Sequence, residues 1–143
     1  MIIRQISAFL ENKSGRLAEV TKILADNQIN ILAMSIADTT NFGILRLIVS
    51  DYVKAEEALK AVGMTVSLSN VIAIAVPDKP GGLAHALAVF EKEKIGIEYL
   101  YAFVEKTSDE AYIIIKVEDP QKAVELLLAN AIKVIESGSV HTK

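Results

Sequence analysis

At 143 residues the chain fits one ordinary domain or two small ones, and its 15 basic and 18 acidic residues are interspersed, for a net charge of −3. That balance offers no cationic stripe for a phosphate backbone, so nucleic acid is not expected as a partner. There is no cysteine, which removes disulfides and thiolate chemistry together, and although 52% of residues are hydrophobic with mean hydropathy +0.37, no apolar run approaches the roughly 20 residues of a membrane helix.

From Ile2 to Leu10 the residues are apolar and often β-branched, which predicts a strand, followed by a polar loop from Glu11 to Gly15. Leu17, Val20, Ile23 and Leu24 then recur at helical spacing and predict an amphipathic helix ending near Asn27. Asn30 to Ile36 and Gly43 to Val49 read as two strands joined by a hairpin turn over Asp38, Thr39, Thr40 and Asn41. Asp51 caps a helix whose Ala55, Ala58, Leu59 and Val62 are expected to face inward, Gly63 stops it, and Met64 to Leu68 forms a fourth strand.

The same order then repeats. Val71 to Val76 is a strand, Gly82 to Lys94 a helix, and Ile97 to Glu105 and Ala111 to Val117 are strands. Pro120 to Ala131 is a helix capped by Asp119, and Ile132 to Glu136 closes the series as a strand. Gly81 follows Gly15 and Leu83 follows Leu17 by 66 residues (81 − 15), while Ala123 follows Ala55 by 68 (123 − 55). A repeat of this length is a whole small domain. The prediction is an α+β chain of two ferredoxin-like βαββαβ domains, residues 1–70 and 71–143, each an antiparallel sheet with both helices on one face. Strands such as Val71 to Val76 are apolar on both sides, so the helix-free face needs either a cover, most simply a second subunit, or a surface of small residues with scattered apolar groups. Domains this small cover little of their own apolar surface, which favours a homodimer.

The segment Asn12-Lys13-Ser14-Gly15-Arg16-Leu17 leads from a strand into a helix, whose first N–H groups have no intrahelical partner and lie at the positive end of the macrodipole. Gly15 lets a small carboxylate approach, and Asn12 carries both a donor and an acceptor for an α-carboxylate and an α-ammonium. The plainer reading is that Asn12 or Ser14 caps the helix and Gly15 eases the turn.

Repeat 1, with Glu11-Asn12-Lys13-Ser14-Gly15-Arg16-Leu17, Gln28-Ile29-Asn30-Ile31 and Gly43, resembles an ACT domain and is similar to the serine-binding regulatory domain of D-phosphoglycerate dehydrogenase. Repeat 2, with Asp78-Lys79-Pro80-Gly81-Gly82-Leu83 and Lys94-Ile95-Gly96-Ile97, resembles a second ACT domain. The resemblance implies a module that binds a free amino acid or similar metabolite at the junction of two modules. It carries the ligand role to Asn12 in the loop of one module and to Asn30, beside Ile31, opening the second strand of a neighbour. Asp78 and Gly96 stand at these two places in repeat 2, which shifts the expected ligand chemistry to the first loop, with either Asn30 of another chain or Gly96-Ile97-Glu98-Tyr99 of the same chain as its partner strand. Glu98, Tyr99 and Tyr101 on the second strand of repeat 2, with Ile97 beside them, are candidates for contacting and selecting the ligand's side chain; Tyr99 and Tyr101 share one face, and core packing of their rings is the equal alternative.

His85 reads as an exposed helix histidine or a pocket wall, and His141 falls in a polar tail expected to lack order. No catalytic constellation, phosphate loop or metal-ligand spacing appears, so neither cofactor nor metal is expected. The resulting expectation is a cytoplasmic, non-enzymatic sensor of a free amino acid that regulates a partner enzyme. The alternative is an assembly module that uses its sheet faces for protein contacts.

Overall fold

A computed structural model of the chain describes residues 1–11, 13–38, 41–102 and 109–141. It contains β1 (Ile3–Glu11), α1 (Arg16–Asp26), β2 (Ile31–Asp38), β3 (Phe42–Val49), α2 (Tyr52–Ala61) and β4 (Thr65–Pro77). These are followed by α3 (Gly82–Lys92), β5 (Ile97–Ala102), β6 (Glu110–Val117), α4 (Pro120–Ala129), β7 (Lys133–Val134) and α5 (Ser137–His141). Two compact units emerge: an N-terminal unit of Arg4–Ser69 with His141, and a C-terminal unit of Asn70–Val140 with Met1–Ile3.

In the N-terminal unit the strand order is β2-β3-β1-β4, with β1 and β2 each antiparallel to β3. In the C-terminal unit it is β7-β4-β6-β5, with β4 and β5 each antiparallel to β6. Each unit is therefore the ferredoxin-like βαββαβ arrangement that the duplicated pattern predicts.

The two cores correspond position by position. On the helix side of the N-terminal sheet, Ile6, Ala8 and Leu10 of β1 and Leu45, Leu47 and Val49 of β3 meet Val20 and Leu24 of α1 and Ala55 and Leu59 of α2. The C-terminal core places Ile72, Ile74, Val76, Ile113, Ile115 and Val117 against Ala86, Phe90, Ala123 and Leu127 at the same offsets. Alternation in the strands and 3.6-residue spacing in the helices aim these side chains at one another, and each large apolar residue so buried contributes about 1.5–3 kcal/mol. Met1 and Ile2 pack against the C-terminal core.

Asp51 and Asp119 cap α2 and α4, accepting hydrogen bonds from Lys54 N and Lys122 N at 3.1 Å. All four long helices end in the same way, the residue beyond the cap taking positive φ. In α4, Ala131 N donates to Leu128 O at 3.1 Å and Ile132 N to Leu127 O at 2.9 Å, and in α2 Gly63 and Met64 do the same. Gly63 suits this position, but Gln28, Lys94 and Ala131 occupy it at φ 57°, 57° and 60° against the preference of L-residues. Ala131→Gly is therefore expected to stabilise the chain by about 0.5–1 kcal/mol, read from the urea midpoint; an unchanged or lowered midpoint would contradict the strain.

Several local expectations are corrected. The strands expected at Met64–Leu68 and Val71–Val76, with Ser69-Asn70 between them, are one continuous strand, because the polar pair keeps extended geometry. The last strand, expected over Ile132–Glu136, is reduced to Lys133–Val134, after which Ile135 N still donates to Ala73 O at 2.8 Å. Val62 faces outward, 53% exposed, since it is the cap residue of α2 and has left the helical stripe. His141 ends a short helix, α5, in which Val140 is buried. The turn residues Thr39 and Thr40 and the expected strand end at Glu105 lie outside the described residues.

Candidate functional site

The two strand-to-helix loops have one backbone design. In the first, Lys13 N donates to Glu11 O at 2.7 Å, Arg16 N to Lys13 O at 3.4 Å and Glu19 N to Gly15 O at 3.0 Å. In the second, Lys79 N donates to Pro77 O at 2.9 Å, Gly82 N to Lys79 O at 3.0 Å and His85 N to Gly81 O at 2.9 Å. Gly15 (φ 88°, ψ −10°) and Gly81 (φ 89°, ψ −11°) hold the third place of these turns, where a type II turn demands positive φ, and Pro80 precedes Gly81 where that turn favours proline. Each glycine is also the N-cap, so the first amides of α1 and α3 open toward the loop.

The side chains around the two loops differ. In the N-terminal unit the Glu11 carboxylate lies 2.8 Å from Lys13 Nζ and 3.7 Å from Arg16 Nη2, and Arg16 Nη1 reaches Glu19 at 3.1 Å. The hydrogen bond and charge of Lys13, aided by Arg16, hold the Glu11 carboxyl below its ordinary 4.5, so it is ionised at neutral pH. The pairing is present above that ordinary value and is lost as acid protonates Glu11 below its lowered one. In the C-terminal unit these places are Pro77, Lys79 and Gly82, so one charged residue stands where the first loop has three. A Cβ on Gly82 would run into the Pro77 carbonyl oxygen, whereas around Gly15 and Gly81 there is open space.

Lys13, Ser14, Gly15 and Leu17 are exposed and Arg16 is half-buried, all gathered at the start of α1, while Asn12 lies outside the described residues. Asn30 and Ile31 lie beyond the far end of the same helix, whose 11 residues span about 16 Å. Asp78, Pro80, Gly81, Gly82 and Leu83 are likewise separated from Ile97 and Tyr99 by α3. One unit thus brings its loop residues together and keeps them apart from its own strand-end residues. Tyr99 and Tyr101 do share a face of β5, with ring centroids 6.5 Å apart, and His85 is exposed.

The strand ends differ too. Asn30 N donates to Ser50 Oγ at 3.0 Å and Ser50 N to Asn30 O at 3.0 Å, closing the sheet end below β2. No such bracket joins Gly96 and Glu118 among the described residues, and there a cavity of about 620 Å³ opens between the end of α3 and the start of α4. Glu93, Glu98, Glu118, Lys94 and Lys122 charge its walls, and Ile97 and Glu98 are the expected site residues among its lining. The exchange of Asn30 for Gly96 and Ser50 for Glu118 was the sequence signal for this cavity.

The family model that describes an ACT domain pair matches residues 1–142. The chain belongs to this family. Its ACT units superpose, over all of this chain and 98% of the other, on protein BT0572 from Bacteroides thetaiotaomicron, with 38% identity and a TM-score of 0.93. The ligand-free regulatory subunit of aspartate kinase from Thermus thermophilus shares the fold at 19% identity and a TM-score of 0.64, over 88% of this chain and 91% of that one. Aspartokinase III from E. coli, solved in complex with lysine and aspartate, matches at 19% identity and a TM-score of 0.54, over 91% of this chain and 31% of that enzyme. No curated protein matches the chain. Among the described residues no helix is long and apolar enough to cross a membrane.

Proposed function

We propose that this ACT pair is a non-enzymatic sensor that binds a free amino acid at an interface between ACT modules and thereby regulates a partner protein. The observation that carries the reading is the loop at the start of α1: a left-handed glycine presents the open amides of a helix N-terminus, with an ionised carboxylate and two cations within a few ångströms. Such an array suits a zwitterion, whose two charges need opposite partners. Because α1 separates the loop from Asn30, a ligand that uses both positions joins two modules, and we place the second in another copy of the chain. Binding then stabilises one arrangement of modules over others, which is how a sensor of this kind passes on its signal. Cytoplasmic residence and a regulated enzyme as partner complete the proposal.

A thermal-shift screen against the twenty amino acids tests it. A ligand at 100 times its Kd should stabilise the protein by about 2.7 kcal/mol, a shift of several degrees. Asn12→Ala should abolish that shift with the fold intact, and retained affinity would remove Asn12 from the site. If no amino acid moves the transition, the sensor reading fails and the chain is better described as an assembly module.

A further inference from the structure

We infer that the N-terminal module selects an amino acid with a large apolar side chain, aromatic before aliphatic, through a pocket bounded by Phe9, Phe42, Val62 and Met64 beside the α1 loop. The inference rests on the sensor reading and names the ligand class of that same site.

The pocket has a volume of about 250 Å³, below the roughly 300–1,000 Å³ of drug-sized sites and suited to one small metabolite. Phe9, Phe42 and Val62 are 50%, 51% and 53% exposed, a concentration of apolar surface that a small unit does not leave open without cost. Register explains how the rings meet. Phe42 lies opposite Glu11 across β1 and β3, and Phe9 precedes Glu11 by two residues, so both rings stand on one sheet face as diagonal neighbours. Val62 and Met64, leaving the end of α2, line it as well.

Glu11 and Arg16 belong both to this pocket and to the loop cluster. A carboxylate and a guanidinium 3.7 Å apart at an apolar mouth match an amino acid's ammonium and carboxylate, with its side chain directed inward. The C-terminal module lacks this arrangement at the same positions. Ala75 stands for Phe9, Glu110 for Phe42, Asn130 for Val62 and Lys133 for Thr65, and Lys133 Nζ pairs with Glu110 at 2.9 Å where the first module has its opening. Asn130 is tied to Lys92 and Glu93 at 3.3 Å. One corner of the fold is thus apolar and open in one module, polar and bridged in the other.

The test is calorimetric titration of the full chain with L-phenylalanine, L-leucine, L-serine and L-lysine, repeated on Phe42→Glu with Thr65→Lys, which transplants the second module's ion pair, and on Phe42→Ala. Both substituted side chains are exposed, so folding should persist, checked by circular dichroism. Phenylalanine should bind best, leucine next, and serine and lysine at least about 100-fold more weakly, in line with the roughly 10–200-fold that one methylene confers in an apolar site. Both variants should lose at least tenfold in phenylalanine affinity. Tighter binding of serine or lysine, or a phenylalanine affinity unchanged in both variants, would overturn the pocket assignment while leaving the sensor reading standing. Failure of every amino acid to bind in the twenty-member screen would instead remove the sensor reading, and the pocket assignment with it.

Discussion

Phe90→Ala is expected to destabilise the protein by about 3–5 kcal/mol, the range for truncating a buried aromatic. Phe90 lies on α3 at 2% exposure, enclosed by Ile72, Ile74 and Ile115 of the sheet and Leu127 of α4. Its counterpart in the first module is Leu24, so the second core is built around the larger side chain at this position. The surrounding residues sit on two strands and a second helix, and such a shell collapses only partly onto the space left behind. Urea unfolding should show a large fall in midpoint with little change in slope. A loss below about 1 kcal/mol would mean that Phe90 is not closely packed.

Gly82→Ala should cost about 1–3 kcal/mol or more, although the change adds one methyl group to a helix, where alanine is normally favourable. The reason is the Pro77 carbonyl oxygen, which occupies the space of the new Cβ and, being backbone, cannot rotate aside. The first module shows what accommodation looks like. Arg16 holds the equivalent position with a full side chain, and the turn that it closes is longer, 3.4 Å from Arg16 N to Lys13 O against 3.0 Å from Gly82 N to Lys79 O. If Gly82→Ala is neutral or stabilising in the same urea measurement, the second loop is as pliant as the first and the close approach is not a constraint.

What the residues disclosed and what they concealed divide along physical lines. Ile6, Ala8 and Leu10 against Ile72, Ile74 and Val76 could be read in advance because strand alternation and duplication make the same statement twice. Asp51 and Asp119 were legible as caps because a side-chain carboxylate at a helix start has one strong local use. The places where α1, α3 and α4 stop, near Asn27, Lys94 and Ala131, were legible too, but the left-handed backbone at Gln28, Lys94 and Ala131 was not, since it has no local signature in these residue types. Nor was the continuity of β4, where Ser69 and Asn70 resemble a turn in composition while their backbone stays extended. The loop from Lys13 to Leu17 was recognisable from its glycine and its place in the repeat. The apolar pocket beside it was not, because Phe9 and Phe42 are indistinguishable from core residues until the register shows them beside Glu11, and because Val62 falls on the inward stripe of α2 by spacing alone.

Met1, Ile2 and Ile3 belong to the C-terminal unit, where the first two pack against the core and the Met1 amino group lies 3.8 Å from Glu136. The rest of the unit that receives them begins only at Asn70 and closes around Val140. The N-terminal unit gathers most of its contacts from a continuous stretch of chain and can organise while synthesis proceeds. The C-terminal unit must instead join Asn70–Val140 to a segment far upstream in the chain, and that long loop closure slows its completion. Two modules alike in topology and core are therefore unlike in when they can finish folding.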